Sequence, residues 1–586
     1  MSGCIPQVKL LYPDLTRRDI SVSAIFGYYS RSNDTTEKLV DKAWEQTAES
    51  KGTRRVFEDF IEKWIIGYKH NSLSEHPSLH FYVENISNIA TKILEANSMG
   101  QNGVPVAYME KSTRYVNMEN AKVFNVLTKY LNNLDESYSE VSDYKKRFDE
   151  IVDKEMRMYE KRLRLYEDIC EKNEVPKSKA FDSARHYLPS GISSIVGVSL
   201  NVRAAKEVII NLISNGNSEA YMIGQQLLDV CCLHFGSIFR RDEILERVTY
   251  RANLLRYALT EAEKEESNAR VVVRHINPNY GFLKSIKTSE IIPFEKIKER
   301  VLFEENRGEP YRIKNNYVVN LKTFFDVYTH IAGLSGEIGT SKRILNYIYE
   351  YHKNTGINGK INTNDIPDDA YDNSMEIKVE ADYGSYRDIA RHRRIKFIGR
   401  NFYSHSLVEK MYENNTDSYI GFFNYYLEGI ITDIPESDDS PLTSSNKIAL
   451  TYETRKYYTE LTIEILDLLI DIKNFLQKIN YDTVESNVLL LEILSYLVPM
   501  SIEKMYRFRG SIPDVLHLVQ ERLQPAGHLY YRSVASSIWD NMCKYYKYQK
   551  DDEFTNFVNH ELSVKKDKQG SIWKDVGLSI DDKIMI

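Results

Sequence analysis

Two stretches in opposite halves of the chain, "SLHFYVE" (78–84) and "MEIKVEA" (375–381), alternate apolar and polar residues in the same phase. That is the pattern of a half-buried strand. Placing Phe81 on Ile377 and reading on without gaps sets Val83-Glu84 on Val379-Glu380, Ile93 on Ile389, and Glu95-Ala96-Asn97 on Arg391-His392-Arg393. A second pair repeats the relation: in "ARHYLPSGISSIVGVSLNVRAAKEVIINL" (184–212) and "LSYLVPMSIEKMYRFRGSIPDVLHLVQER" (494–522), Leu188 falls on Val498 and Pro189 on Pro499. The two offsets differ by a modest insertion, as in a tandem repeat of a whole domain. The chain therefore divides into a first copy (1–270), a second copy (271–560) and a charged C-terminal tail (561–586).

A chain of 586 residues exceeds one ordinary core, and 42% hydrophobic with 27% charged residues is the balance of a soluble globular protein. Amphipathic spacing predicts long helices over 142–173 and 453–479. With the alternating strands this gives an α+β fold, a sheet with long packing helices in each copy. The stretches 353–373 and 435–446 read as surface loops, and "GLSGEIGTSK" (333–342), which lacks the Gly-Lys-Ser/Thr of a phosphate loop, reads as a turn.

The five cysteines (Cys4, Cys170, Cys231, Cys232, Cys543) have no Cys-x-x-Cys spacing, so disulfides and structural zinc are unsupported. No metal site is expected, His70, His76 and His80 being spread over a loop and a strand. The N-terminus lacks a signal-peptide core, and "NVLLLEILSYLVPM" is interrupted by Glu492 and too short to span a bilayer. These features predict a cytoplasmic protein without a membrane partner.

Positive charge is nevertheless gathered locally in a chain of formal net charge -7 and pI near 6.1. "ARHRR" (390–394) follows a strand and an apparent helix. A general nucleic-acid coat would show a basic excess, so a small anion is the expected partner. In the first copy "YMEKSTRYVNM" (108–118) brings Glu110, Ser112, Arg114 and Tyr115 together. As structure alone this is a polar strand or loop edge; as chemistry it offers a guanidinium for phosphate, a hydroxyl for a further phosphate oxygen and a carboxylate for a ring or ribose donor. Arg185 in "ARHYLP" and the Asn201–Arg203 triplet lie later in this copy, Arg522 and Arg532 late in the second.

The ordered set "SLSEHPSLHFYV", E-x-S-x-R-Y, A-R-x-x-L-P and N-x-R, with R-H-R after a strand and helix, resembles the flavin-dependent thymidylate synthase family, present as two fused and diverged copies over most of the chain. The resemblance implies FAD as cofactor, methylenetetrahydrofolate and NADPH as co-substrates, and dUMP methylated at C5 in nucleotide biosynthesis. It implies that Glu110, Ser112, Arg114, Arg185, Arg391 and Arg522 bind substrate, that Ser72, Asn201, Arg203, Arg391, His392 and Arg393 meet the flavin, and that Arg522 is catalytic in polarising the uracil. The family's motifs are divided between the copies: the first keeps E-x-S-x-R-Y and lacks R-H-R, whereas the second keeps R-H-R and reads "RIKFIGRNFY" where E-x-S-x-R-Y should follow. The counterparts of Arg185, Asn201 and Arg203 include Ser495 and Pro513, and Arg522 has Leu212.

Losses that interlock imply one composite site from both copies, within a chain or between chains of a homo-oligomer, such as a dimer mimicking a four-domain assembly. No protein nucleophile is needed, and no cysteine has the flanking motif of the flavin-independent synthases. The alternatives are a non-catalytic nucleotide-binding or assembly scaffold that retains the fold, and a basic-patch RNA-binding protein whose affinity would fall steeply with salt.

Overall fold

Alternation becomes strand pairing in both copies. The structure, a computed structural model, describes residues 5–13, 71–95, 106–131, 138–172, 176–249 except 216 and 237, 328–336, 373–398 except 393, 444–523 except 482, and 529–548, with isolated positions besides. Strands β1 (Gln7–Leu11), β2 (Ser78–Ser87), β3 (Ala107–Glu110) and β4 (Ser193–Asn201) form an antiparallel sheet in the order β1-β2-β4-β3. Strands β5 (Tyr328–Gly336), β6 (Asn373–Asp382), β7 (Lys396–Ile398) and β8 (Glu503–Gly510) form another in the order β5-β6-β8-β7. Counted from its first strand, each sheet has the same topology. The register agrees as well: Phe81 faces Val198 across β2 and β4, and Ile377 faces Phe508 across β6 and β8. The fold is α+β, two tandem copies of one domain.

The helices repeat with the strands. In the first copy these are α1 (Asn88–Glu95), α2 (Ser139–Lys172), α3 (Ser178–Ala184), α4 (Val202–Ser214) and α5 (Ser218–Phe235). In the second they are α6 (Tyr383–Ile389), α7 (Ser444–Lys478), α8 (Thr483–Leu497), α9 (Ile512–Arg522) and α10 (Leu529–Tyr548). Equivalent helices start on equivalent caps. Asn201 Oδ1 accepts from the Ala204 amide, and its counterpart Ser511 forms a capping box with Asp514.

One placement is corrected by the backbone. Asn85 has φ 59° at a register shift in β2, a bulge that Asn tolerates and that inserts one residue. Beyond it Ser87 matches Asp382, and both side chains accept from the amide three residues on, Ala90 and Ser385. Ile93 therefore corresponds to Asp388 rather than Ile389, and Glu95 corresponds to Ala390 rather than Arg391. Two smaller expectations also change. Residues 333–336 continue edge strand β5 instead of turning, since an edge tolerates glycine. Ser444-Ser445-Asn446 open α7 rather than closing a loop, these being residue types that begin helices as readily as they make turns. Residues 355–372, the copy boundary near 270 and the tail 561–586 lie outside the described residues.

The described residues fall into two compact units, one drawn from Met1–Ser112, Asn120–Val141 and Gly191–Lys284, the other from Thr113–Glu119, Ser142–Ser190 and Ser285–Ile586. The first has its core between the β1–β4 sheet (Leu79, Phe81, Val83, Val196, Val198) and helices α4 and α5 (Val208, Ile209, Ile223, Leu227). The second buries Met375, Ile377, Val379 and Phe508 of its sheet with Val515, Leu516, Val534 and Trp539 of α9 and α10. Each such side chain contributes about 1.5–3 kcal/mol. In this unit α2 and α7 run antiparallel, tied by Arg147–Asp471 and Lys154–Glu464, both 2.7 Å, and by Arg162–Glu453 at 3.0 Å. No helix among the described residues is long and apolar enough to cross a membrane.

Glu155 on α2 is fully buried, and neither carboxyl oxygen has a hydrogen-bond partner among the described residues. Burial pushes its pKa well above the usual glutamate range. The folded protein therefore holds a proton there that the unfolded chain releases, and stability falls as pH rises above the ordinary glutamate value. Glu155→Gln removes that penalty. Its melting temperature should exceed wild type by more at pH 8 than at pH 5, with a gain of about 1–3 kcal/mol at the higher pH. Equal effects at both pH values would show that Glu155 is not protonated on folding.

Candidate active site

The second unit gathers arginines from both copies around two aspartates. Arg114 follows β3 in a turn, and its Nε and Nη2 donate to both carboxyl oxygens of Asp182 at 2.6 and 3.0 Å. Such a bidentate fork fixes the guanidinium plane. Arg185, just beyond α3 and 1% exposed, donates through Nη2 to Asp388 of α6 at 2.8 Å. Arg387, fully buried, reaches Thr113 at 3.4 Å. Arg391 lies one helical turn past Asp388 and is exposed.

Arg522 closes α9, and its guanidinium lies 5.5 Å from the ring of Tyr531, which also lies 5.8 Å from the Arg114 guanidinium and accepts from Arg114 Nη1 at 3.3 Å.

Burial pushes the Asp388 carboxyl up, but Arg185, Arg391, Arg387 and Arg114 together hold it well below the usual carboxylate range. Asp182 goes the other way: burial pushes it up, partly offset by Arg185 and Arg114. Burial lowers the Arg522 pKa, and the neighbouring Arg391 adds to this. Burial and Arg185 drive His186 well down, and burial with Arg522 and His517 does the same to His392, so both imidazoles are neutral at pH 7. His186 is packed against Gly384, where a Cβ would stand 2.8 Å from Cε1; only glycine permits that approach.

Five arginines (114, 185, 387, 391, 522) thus lie around two aspartates (182, 388), with Arg185 and Arg387 buried and Arg391 exposed.

Of the residues singled out in the sequence, Arg114, Arg185, Arg391, His392 and Arg522 come together here. Glu110, Ser112, Ser72, Asn201 and Arg203 belong to the other unit. There Glu110 is paired with buried Lys92 at 3.1 Å, and Lys92 also holds Glu95 at 2.6 Å. Asn201 caps α4, and Arg203 pairs with Glu75 in the turn Asn71–Glu75 that contains Ser72. The side chains of Ser72 and Arg393 lie outside the described residues. His80 Nδ1 is 2.8 Å from Ser199 Oγ, and among the described residues no group of three His, Cys, Asp or Glu could hold a metal.

Sequence reasoning passed over Asp182, Asp388 and Tyr531. A signal for the aspartates was present: "DSAR" (182–185) and "DIAR" (388–391) both set a carboxylate three residues before an arginine, one helical turn away. In the folded protein the Asp388 partner is Arg185 from the other copy.

Residues 16–231 match the family model described as thymidylate synthase complementing protein, which bears out the resemblance read from the motifs. The chain is also 22% identical over 366 residues to a UPF0159 protein of Thermoplasma acidophilum, covering 53% of this chain and 70% of that protein. The matched span holds the first-copy motifs, and the repeated sheet topology carries the second copy.

Proposed function

We propose that the protein is a flavin-dependent thymidylate synthase that methylates dUMP at C5 with methylenetetrahydrofolate, using reduced FAD regenerated by NADPH, at a composite site built from both copies. The observation that supports this reading is the convergence of arginines on Asp388, Arg114 and Arg185 from the first copy and Arg387, Arg391 and Arg522 from the second. Arg114 and Arg185 would hold the nucleotide phosphate. Arg522 stabilises negative charge on the uracil as C5 becomes nucleophilic.

The donor set fits a flavin. His392 Nε2 and Arg522 Nε are buried atoms with no hydrogen-bond partner among the described residues, next to exposed Arg391. Arg391, His392 and Arg393 would hold FAD. FAD supplies the hydride when bound. The protein would act in the cytoplasm as a homo-oligomer.

Purified protein should carry a flavin spectrum or take up added FAD, and form dTMP from dUMP, methylenetetrahydrofolate and NADPH. Protein that refuses FAD and gives no dTMP would leave a nucleotide-binding scaffold. The chemistry needs no thiolate, and burial drives the Cys231 thiol above its ordinary range. A variant with all five cysteines replaced by serine or alanine should therefore turn over within about twofold of wild type, provided it folds. Lost turnover with folding and FAD binding intact would reject the mechanism.

A further inference from the structure

Resting on the thymidylate synthase reading, we propose that Tyr531 is the positioning residue of this site: its ring fixes Arg522 while its hydroxyl fixes Arg114, so one side chain aligns the base-polarising and phosphate-holding arginines.

Tyr531 lies in the first turn of α10 and is 4% exposed. Arg522 has no ion pair at contact distance among the described residues. Its Nε has no hydrogen-bond partner there, and Asp388 acts on it only electrostatically. What touches the guanidinium is the Tyr531 ring at 5.5 Å. A desolvated guanidinium over an aromatic face is held by electrostatics that water does not screen. Arg114 differs, because Asp182 already grips it with two bonds and Tyr531 adds a third at 3.3 Å. The ring also lies 5.8 Å from the Arg114 guanidinium, so Arg522 depends on the ring whereas Arg114 has the hydroxyl and Asp182 as well.

The other copy supplies a contrast. Extending the match of Leu212 with Arg522 along the chain places Tyr221 on Tyr531. Tyr221 is 42% exposed, and the position that would need a held arginine is the buried Leu212. The aromatic residue stands in both copies, and in the second it lies over Arg522.

Tyr531→Phe keeps the ring and loses the hydroxyl. It should raise KM for dUMP about 3–10-fold and leave kcat within about twofold, since only a third, long bond to Arg114 is lost. Tyr531→Leu loses the ring as well, and kcat should fall at least about tenfold below the Phe variant. A structural role alone would move melting temperature without this split. Phe and Leu variants with the same constants, or either at wild-type level in both, would overturn the proposal.

If wild type neither binds dUMP by calorimetry nor turns it over, the functional reading fails, and the inference is decided without ligand. Thermal unfolding of Tyr531→Leu, Arg522→Met and the double variant should then be non-additive, because each single change removes the same contact. Additive losses would overturn it.

Discussion

Arg522→Ala should lower dTMP formation about 100-fold or more while FAD and dUMP still bind, because a donor aimed at charge that develops only in the transition state is worth about 3 kcal/mol. Arg114→Ala should be as damaging to kcat/KM through lost phosphate binding. The decisive form of this experiment uses Arg114→Ala and Arg391→Ala. Each should abolish turnover, since the chain holds a single complete arginine set, and the two inactive variants should not rescue one another when co-expressed. The reason is geometric: the side chains around Asp388 come from both copies of one chain. Restored activity on co-expression would place the working site between chains. Near-normal turnover of either single variant would remove the composite site.

Asp388→Ala should cost about 3–5 kcal/mol of stability at pH 7, because it leaves Arg185 buried without its carboxylate. The sign of the pH dependence follows from the depressed folded pKa of Asp388. The unfolded chain takes up a proton first as pH falls, so the stabilisation is complete above the ordinary aspartate value and is lost on acidification below it. Denaturant unfolding of wild type and Asp388→Asn should therefore differ most at neutral pH and converge as pH falls below about 4. A gap that does not change with pH would mean that Asp388 is not the ionised partner of Arg185.

The duplication was legible in the sequence because strand burial has period two, and the alternation at 78–84 and 375–381 survives whatever else diverges. The divided motifs were legible for a similar reason: a guanidinium or a carboxylate that binds a ligand cannot be exchanged for an apolar residue without leaving a visible gap, such as Leu212 opposite Arg522. The bulge at Asn85 was not legible, because it depends on one positive φ, and it moved the counterparts of Ile93 and Glu95 by one residue. Nor was the pairing of Arg185 in the first D-x-A-R segment with Asp388 in the second. Each motif alone predicts an aspartate beside its own arginine one turn later.

What the sequence determined by itself is therefore the set of groups: two α+β copies, arginines kept where one copy dropped them, and helices long enough to pack. These follow from periodicity and residue chemistry, which act within a few residues. Which groups meet was decided by the tertiary structure, since residues 113–119 and 142–190 pack in the same unit as the second copy. That packing sets Arg185 on Asp388 and Tyr531 between Arg114 and Arg522. Contacts across more than 200 residues of chain arise from the burial of whole faces, and no local pattern encodes them.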